Sequence, residues 1–444
     1  MRLRAKLLGF TAGGRNMVVV DDEVAKSMGL HPLDRVRISA NGREVIAIVN
    51  IARKLPVDTV ALYDEVAAAL NVNDGDAVTL EPVEPPRSIE YIRDKLRGVN
   101  LRMEEVREIV RDIVRGALND VEITALVTSL HHRGISREEA YYFTLAMVET
   151  GRRLRLNRYP VLDKHSLGGV PGDKTTLLVV PIIASLGYII PKTSSRAITS
   201  PAGTADRFEV LAPVDLSIEE MSEVVLRTNG CIAWGGALGL APADDIIIQV
   251  EYPLAIDPFY IPSIMAKKAA VGSTHVVIDI PTGRMAKVKT MDEAVYIARE
   301  FIELASRLGI KLECAITYGD EPIGYAVGPA LEAREALMAI GGRGPQDLVD
   351  KAASIAGILL EMVGRDNGKE LALEAIRSGR AEAKLKEIIE AQGGDPGVRP
   401  EEVPVGEHGA AVEADRDGVV TWIDTRAIAR IARLAGAPKD KGAG

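Results

Sequence analysis

Apolar and polar positions change rhythm three times along the chain. Up to about residue 85, apolar residues alternate with polar ones around Met17–Val20, Arg35–Ile38 and Val45–Val49, the two-residue period of half-buried strands. Tyr63–Leu70 carries a helical pattern within that stretch, so residues 1–85 read as a small β-rich module whose edge strands would suit assembly. Pro82, Pro85 and Pro86 mark its end, because proline removes a ladder donor and disfavours helix just before it. From Ile89 the period becomes 3.6. Val106, Ile109, Val110, Ile113 and Val114 form one stripe, Ile123, Leu126, Val127 and Leu130 the next, which predicts a helical subdomain over 88–151. Buried elements at Leu177–Ala184, His275–Ile280 and Lys311–Ile316 then alternate as in an α/β layer, over 152–239 and 271–400. Gly393–Gly397 closes that layer. Beyond Val405 a β-like run, Gly418–Ile423, precedes a helix, the start of an α+β segment over 405–444.

The polar stretch Lys164–Thr176 interrupts this pattern just ahead of the apolar run Leu177–Leu186. Gly168, Gly169 and Gly172 allow sharp turns that expose backbone N–H groups, and the following helix presents its positive end. With Lys164, Lys174, His165, Ser166, Thr175 and Thr176 in the same loop, the stretch reads as a phosphate cradle, the alternative being an ordinary glycine turn. A second polar segment, Lys192–Asp206, again lies between apolar runs. Strand, loop and helix occurring twice on one sheet would bring the loops together at the carboxyl ends of the strands, a site for a doubly anionic ligand.

Composition narrows the class. The chain has 444 residues, 47% of them hydrophobic, enough for two or three domains. No apolar run of membrane-spanning length appears and Met1–Lys6 leads into no signal-peptide core, so a cytoplasmic protein without membrane contact is expected. Cys231 and Cys314 lack metal-type spacing and read as small core residues. A net charge of −9 disfavours nucleic acid as a partner. Gln249, Gln346 and Gln392 are the only glutamines, a hint of a thermophilic source.

The segments KHSLGGVPGDKTT and SSRAITSPAGTAD resemble the signature regions of the thymidine and pyrimidine nucleoside phosphorylase family. The resemblance extends through Leu240–Asp244, Ser263–Lys268 and Asp415–Gly418, and so covers residues 88 to 435. The N-terminal region, SPAG in place of HTGG, and the GVPGDKTT loop are most similar to the branch that cleaves nucleoside 5′-monophosphates. That resemblance implies an α/β fold of the nucleoside phosphorylase/phosphoribosyltransferase type, with a helical subdomain rejoined by about 240–270 and a mixed-sheet α/β domain. It implies conversion of AMP and phosphate to adenine and ribose 1,5-bisphosphate, with CMP and UMP as further candidates. Inorganic phosphate is then a co-substrate, and neither metal nor organic cofactor is needed. It also implies a homodimer or larger homo-oligomer built through the helical subdomain, between Met103 and Leu130, and the N-terminal module. Family members continue for some tens of residues, so a truncated C-terminus is expected.

Residue by residue, the resemblance puts Lys164, Ser166, Thr176, Ser194 and Thr204 at phosphate-binding positions, where Ser194 and Thr204 could otherwise be caps. Gly168, Gly169, Ser195, Ala197, Ile198, Thr199 and Ser200 complete the two loops. Asp257 follows the apolar Leu254–Ile256, a setting that raises a carboxyl pKa and suits a general acid, although Asp-Pro also opens turns. The resemblance makes Asp257 the proton donor to the leaving base, with His165 as rival. Arg196, Lys267 and Lys287 are candidates for the 5′-phosphate, Arg196 having as its alternative an ion pair with Asp206 or Asp244. Ser263 and Lys267 match a Ser-x-x-x-Lys that contacts base or sugar, while Lys268 reads as a solvated neighbour. Where the pyrimidine enzymes carry Tyr-x-x-Arg this chain has Ile248-Gln249-Val250-Glu251, and an ionised glutamate cannot donate to a base carbonyl. The competing readings are a pyrimidine nucleoside phosphorylase, an anthranilate-type phosphoribosyltransferase using Asp244-Asp245 for magnesium, and a non-catalytic nucleotide-binding assembly protein.

Overall fold

A computed structural model describes residues 1–197 and 200–444, so the binding positions expected at Ile198 and Thr199 lie outside the described residues. The chain forms two compact units, Met1–Gly151 with Ala241–Ser263, and Arg152–Leu240 with Ile264–Gly444.

In the first unit, strands β1 (Arg2–Leu7), β2 (Met17–Asp21), β3 (Arg35–Ala40), β4 (Arg43–Ala52), β5 (Thr59–Leu62) and β6 (Ala77–Val83) close a barrel in the order β1-β5-β2-β4-β3-β6. Alternate residues such as Val18, Val20, Val36, Ile38, Val78 and Leu80 fill its interior. Closure removes the edge strands on which an assembly role was expected: β6 pairs back onto β1, and no open ladder is left among these six strands. Helices α1 (Asp22–Met28) and α2 (Asp64–Leu70) lie against the barrel; the helical pattern at Tyr63–Leu70 is α2, whereas α1, begun by Asp21 accepting from the Glu23 N–H, is not read from the sequence.

Four helices follow: α3 (Ser88–Leu96), α4 (Met103–Val114), α5 (Asp120–Arg133) and α6 (Arg137–Thr150). Asn119 and Ser136 each begin a helix by accepting from the backbone three residues on, with Glu122 and Glu139 returning the bond. Glu139 also accepts from the Lys95 ammonium at 2.7 and 2.8 Å and from the Leu101 N–H at 3.0 Å, all out of reach of solvent. Buried Arg35 donates to the Ala117 carbonyl and the Glu122 carboxylate, fixing the barrel to the helices.

The second unit opens with β7 (Leu162–Ser166), α7 (Thr176–Ser185), β8 (Ile190–Ser194), α8 (Thr204–Phe208), α9 (Ile218–Thr228) and β9 (Gly230–Trp234). Helix α10 (Pro242–Leu254) belongs to the first unit, and α11 (Tyr260–Ala270) runs from one into the other. After it come β10 (His275–Thr282), α12 (Met291–Arg307), β11 (Lys311–Tyr318), α13 (Pro329–Ile340), α14 (Gln346–Met362), α15 (Gly368–Arg377), α16 (Arg380–Ala391) and α17 (Thr425–Ala435). The strands form ladders β11-β10-β7 and β8-β9, and the sheet expected to be mixed is parallel in every pairing among the described residues. A bridge between Val161 and Ile189, with Leu162 N–H donating to the Ile189 carbonyl at 2.8 Å, sets β7 beside β8. The loops after β7 and β8 therefore leave neighbouring parallel strands at their carboxyl ends.

Helix α7 is apolar on all sides and buried throughout Thr176–Ala184, because α14 and α16 cover it on one side and the sheet on the other. Gln392, at the end of α16, accepts from the Ile232 N–H at 2.9 Å and donates to the carbonyls of Pro213 (2.8 Å) and Ile232 (3.0 Å), so a side-chain amide pairs with β9 as a neighbouring strand would. The strand expected at Gly418–Ile423 does not form. Val419 and Val420 are 88% and 76% exposed, and β-propensity without a partner strand makes no ladder.

Candidate active site

Successive residues of β7 point to opposite faces of the sheet, which splits the sequence Asp163-Lys164-His165-Ser166 into two sets. On one face the Lys164 ammonium, 2% exposed, meets the Thr176 hydroxyl at the start of α7, 3.3 Å away. Asp279 stands beside Ser166 in register on β10, accepts from Thr317 Oγ1 at 2.6 Å and lies 3.0 Å from the Lys351 ammonium of α14. Burial lowers the Lys164 pKa, against the opposing pull of Asp173 and Asp279. For Asp173 burial works upward, but Lys351 and Lys164 hold its carboxyl well below the usual range. The Thr175 hydroxyl, buried beside them, has no hydrogen-bond partner among the described residues.

On the other face Asp163 is fully buried and gathers Lys268 Nζ at 2.8 Å, Ser273 Oγ at 3.2 Å and Lys192 Nζ at 3.9 Å. Lys268 is thus 1% exposed and ion-paired, not the solvated neighbour it reads as in sequence. One carboxylate serves two lysines here, and burial followed by Lys268 pushes the Lys192 pKa well below its ordinary value. His165 feels the same surroundings. Burial, Lys268 and Lys192 depress its ring pKa well below the usual histidine value, which favours the neutral imidazole.

The glycine loop between β7 and α7 is held by its own lysine. Lys174, fully buried, donates to the carbonyls of Ile323 (2.9 Å) and Ala326 (3.0 Å) and pairs with Glu335, so its role is to fasten the loop. Gly168 and Gly169 have φ of 75° and 89°, and a Cβ at Gly169 would lie 2.7 Å from the Lys287 backbone nitrogen. Gly169→Ala is therefore expected to shift this loop and raise KM for phosphate while the folded core survives. Saturation kinetics in phosphate, with circular dichroism as control, measures it; an unchanged KM would show that the loop does not bind the anion.

In the second loop Ser194 Oγ donates to the Ala233 carbonyl at 3.0 Å, and Asp206 accepts the N–H groups of Ala197 (2.7 Å) and Gly203 (2.8 Å). Thr204 opens α8, and Ser195 and Ser200 are exposed. The Arg196 guanidinium is occupied by carboxylates: both nitrogens reach Glu209 at 2.7 Å, one reaches Asp215 at 3.0 Å, Asp206 lies at 3.6 Å, and Trp234 stacks on its face at 4.8 Å. The ion-pair alternative thus has Glu209 and Asp215 as its main partners. Lys287 is exposed and Lys267 half-buried. Asp257 and Ser263 belong to the first unit; Asp257 is exposed, whereas its sequence context set it against an apolar surface.

Asp163, Asp279 and Lys351 are missed by motif reading, and Lys192, which opens the second polar segment, is given no role by it. For Asp279 the signal available is a charged residue inside an otherwise apolar buried strand, which must be paired. Among the described residues no group of three or more His, Cys, Asp or Glu is arranged to hold a metal ion, and no helix is long and apolar enough to cross a membrane.

Residues 89–151 match the helical bundle domain of the glycosyl transferase family and residues 158–382 its a/b domain. Over 444 residues the chain is 59% identical to the AMP phosphorylase of Thermofilum pendens, covering all of this chain and 87% of that protein. It is 50% identical to the AMP phosphorylase of Thermococcus kodakarensis, covering all of this chain and 89% of that one. The crystal structure of anthranilate phosphoribosyltransferase from Thermus thermophilus superposes with a TM-score of 0.59 on 68% of this chain and 98% of its own at 21% identity, a likeness of fold alone. With the bundle, the α/β domain and the N-terminal barrel all covered by these relatives, the chain belongs to the AMP phosphorylase family, built on the glycosyl transferase domains.

Proposed function

We propose that this protein cleaves AMP with inorganic phosphate, giving adenine and ribose 1,5-bisphosphate. The observation that carries the reading is the buried Lys164 ammonium, held by one long hydrogen bond to Thr176 at the mouth of a helix, beside a loop in which Gly168, Gly169 and Gly172 are left-handed. A phosphate oxygen forms the new bond to the anomeric carbon as the glycosidic C–N bond breaks, with positive charge on the sugar and negative charge on the leaving base. Lys164, Ser166, Thr176, Ser194 and Thr204 hold the attacking phosphate in line, and Lys267 and Lys287 serve the second anion, the guanidinium of Arg196 being taken up by Glu209 and Asp215. Positioning and electrostatics then supply most of the rate. A proton must reach the departing base. Burial and the neighbouring lysines lower the His165 pKa and so disfavour the ring as an acid, which supports Asp257 as the donor. Neither metal nor organic cofactor enters this scheme, the setting is the cytoplasm, and the working form is a homo-oligomer, which light scattering of the full chain tests.

Phosphate-dependent release of free base from AMP, CMP, UMP, adenosine, uridine and thymidine tests the reading. Cleavage confined to monophosphates is expected, and Asp257→Asn should lower kcat by roughly 10²–10⁴-fold. Cleavage of uridine or thymidine instead would return the chain to the pyrimidine nucleoside enzymes.

A further inference from the structure

We propose that Lys351 is a positioning residue of the phosphate site: by acting as the counter-charge of Asp173 and Asp279, it leaves the Lys164 ammonium available to phosphate. The inference rests on the phosphorolytic reading above. Asp279 and Lys164 lie on this face of the sheet, Lys351 reaches Asp279 from α14, the buried Asp173 of the following loop feels both lysines, and the division between them is uneven. Lys351 lies 3.0 Å from Asp279 Oδ2, with the two side chains 11% and 0% exposed. The Lys164 ammonium, by contrast, has a hydroxyl as its one hydrogen-bonding partner and no carboxylate within ion-pairing distance among the described residues. Asp173 senses Lys351 more strongly than Lys164, which is consistent with the same division.

Removing the Lys351 charge changes the competition. Asp173 and Asp279 would then have Lys164 as the neighbouring cation best placed to offset them, and a lysine engaged by buried carboxylates is a weaker ligand for an anion. Lys351 itself extends from the first turns of α14, and Thr317 fixes the other oxygen of Asp279, so the pair is held from two elements. Nothing in this arrangement requires Lys351 to touch substrate.

Calorimetric titration with inorganic phosphate, alongside saturation kinetics in phosphate and in AMP, separates this from a general structural role. Lys351→Met should weaken phosphate binding and raise its KM by roughly 10–100-fold, the usual worth of a residue that orients a ligand-binding group, with KM for AMP nearly unchanged. Lys351→Arg should restore most of the loss. The charge-balanced double variant Lys351→Met with Asp279→Asn should bind phosphate better than Lys351→Met alone, because one competitor for Lys164 is gone. If Lys351→Met does not fold, the folded double variant carries the test by binding phosphate. Unchanged phosphate affinity in Lys351→Met, equal rises in both KM values, or a folded double variant without phosphate affinity would each overturn the inference. A wild-type protein that binds no phosphate would instead sink the functional reading.

Discussion

Replacing Lys164 with methionine is expected to lower kcat/KM for phosphate by roughly 10²–10³-fold, the worth of one preorganised donor, without a matching loss of melting temperature. The side chain is fully enclosed, its burial disfavours the charge, and its one hydrogen bond, to Thr176, is 3.3 Å long. Methionine fills nearly the same space with no charge to desolvate, so the folded state loses little while an incoming anion loses its counter-ion. Sites of this kind give up stability for binding. Steady-state kinetics with a thermal scan of the same preparation decides it. Near wild-type activity would remove Lys164 from the phosphate site, and a collapse of both activity and stability would make it a structural lysine.

Glu139→Gln should cost more stability than either Lys164→Met or Lys351→Met, about 3–5 kcal/mol. Lys95 and Glu139 are 1% and 0% exposed, the carboxylate accepting both bonds from the ammonium as well as the Leu101 and Ser136 N–H groups. Neutralising the acid leaves an ammonium in the bundle interior without its opposing charge. Pairing the change with Lys95→Met removes that ammonium, but glutamine keeps only one of the two oxygens to which the Leu101 and Ser136 N–H groups donate, so the double variant should recover part of the loss. Denaturant unfolding of the wild type, both single variants and the double measures the coupling. Additive single effects would mean that the pair is not the unit of stability.

How much of the fold is legible in the sequence follows the range over which each signal acts. The all-apolar run Leu177–Ala184 marks a helix covered on every side, and the loops flanking it declare their polarity locally. The period-2 pattern before residue 85 indicates strands but not their closure, because closure depends on β1 meeting β6 across most of the module. The same limit governs the site. Lys268 looks solvated beside Lys267, and only the fold sets Asp163 within 2.8 Å of it. Asp279 interrupts the apolar strand His275–Thr282, which signals that it is paired without naming Lys351, far along the chain on α14. Gly418–Ile423 fails in the opposite direction, since its valines favour extended backbone but no neighbouring strand takes up the bonds.

Gln392 bears on how this molecule ages. Its amide is buried, with two bonds to Ile232 of β9 and a third to the Pro213 carbonyl, so little of it meets solvent and its carbonyl is already occupied. Were that amide to become a carboxylate, the atom now donating to Pro213 and Ile232 would face two carbonyl oxygens, and attraction would turn to repulsion. Chemical damage at this one position would thus loosen the hold of α16 on β9.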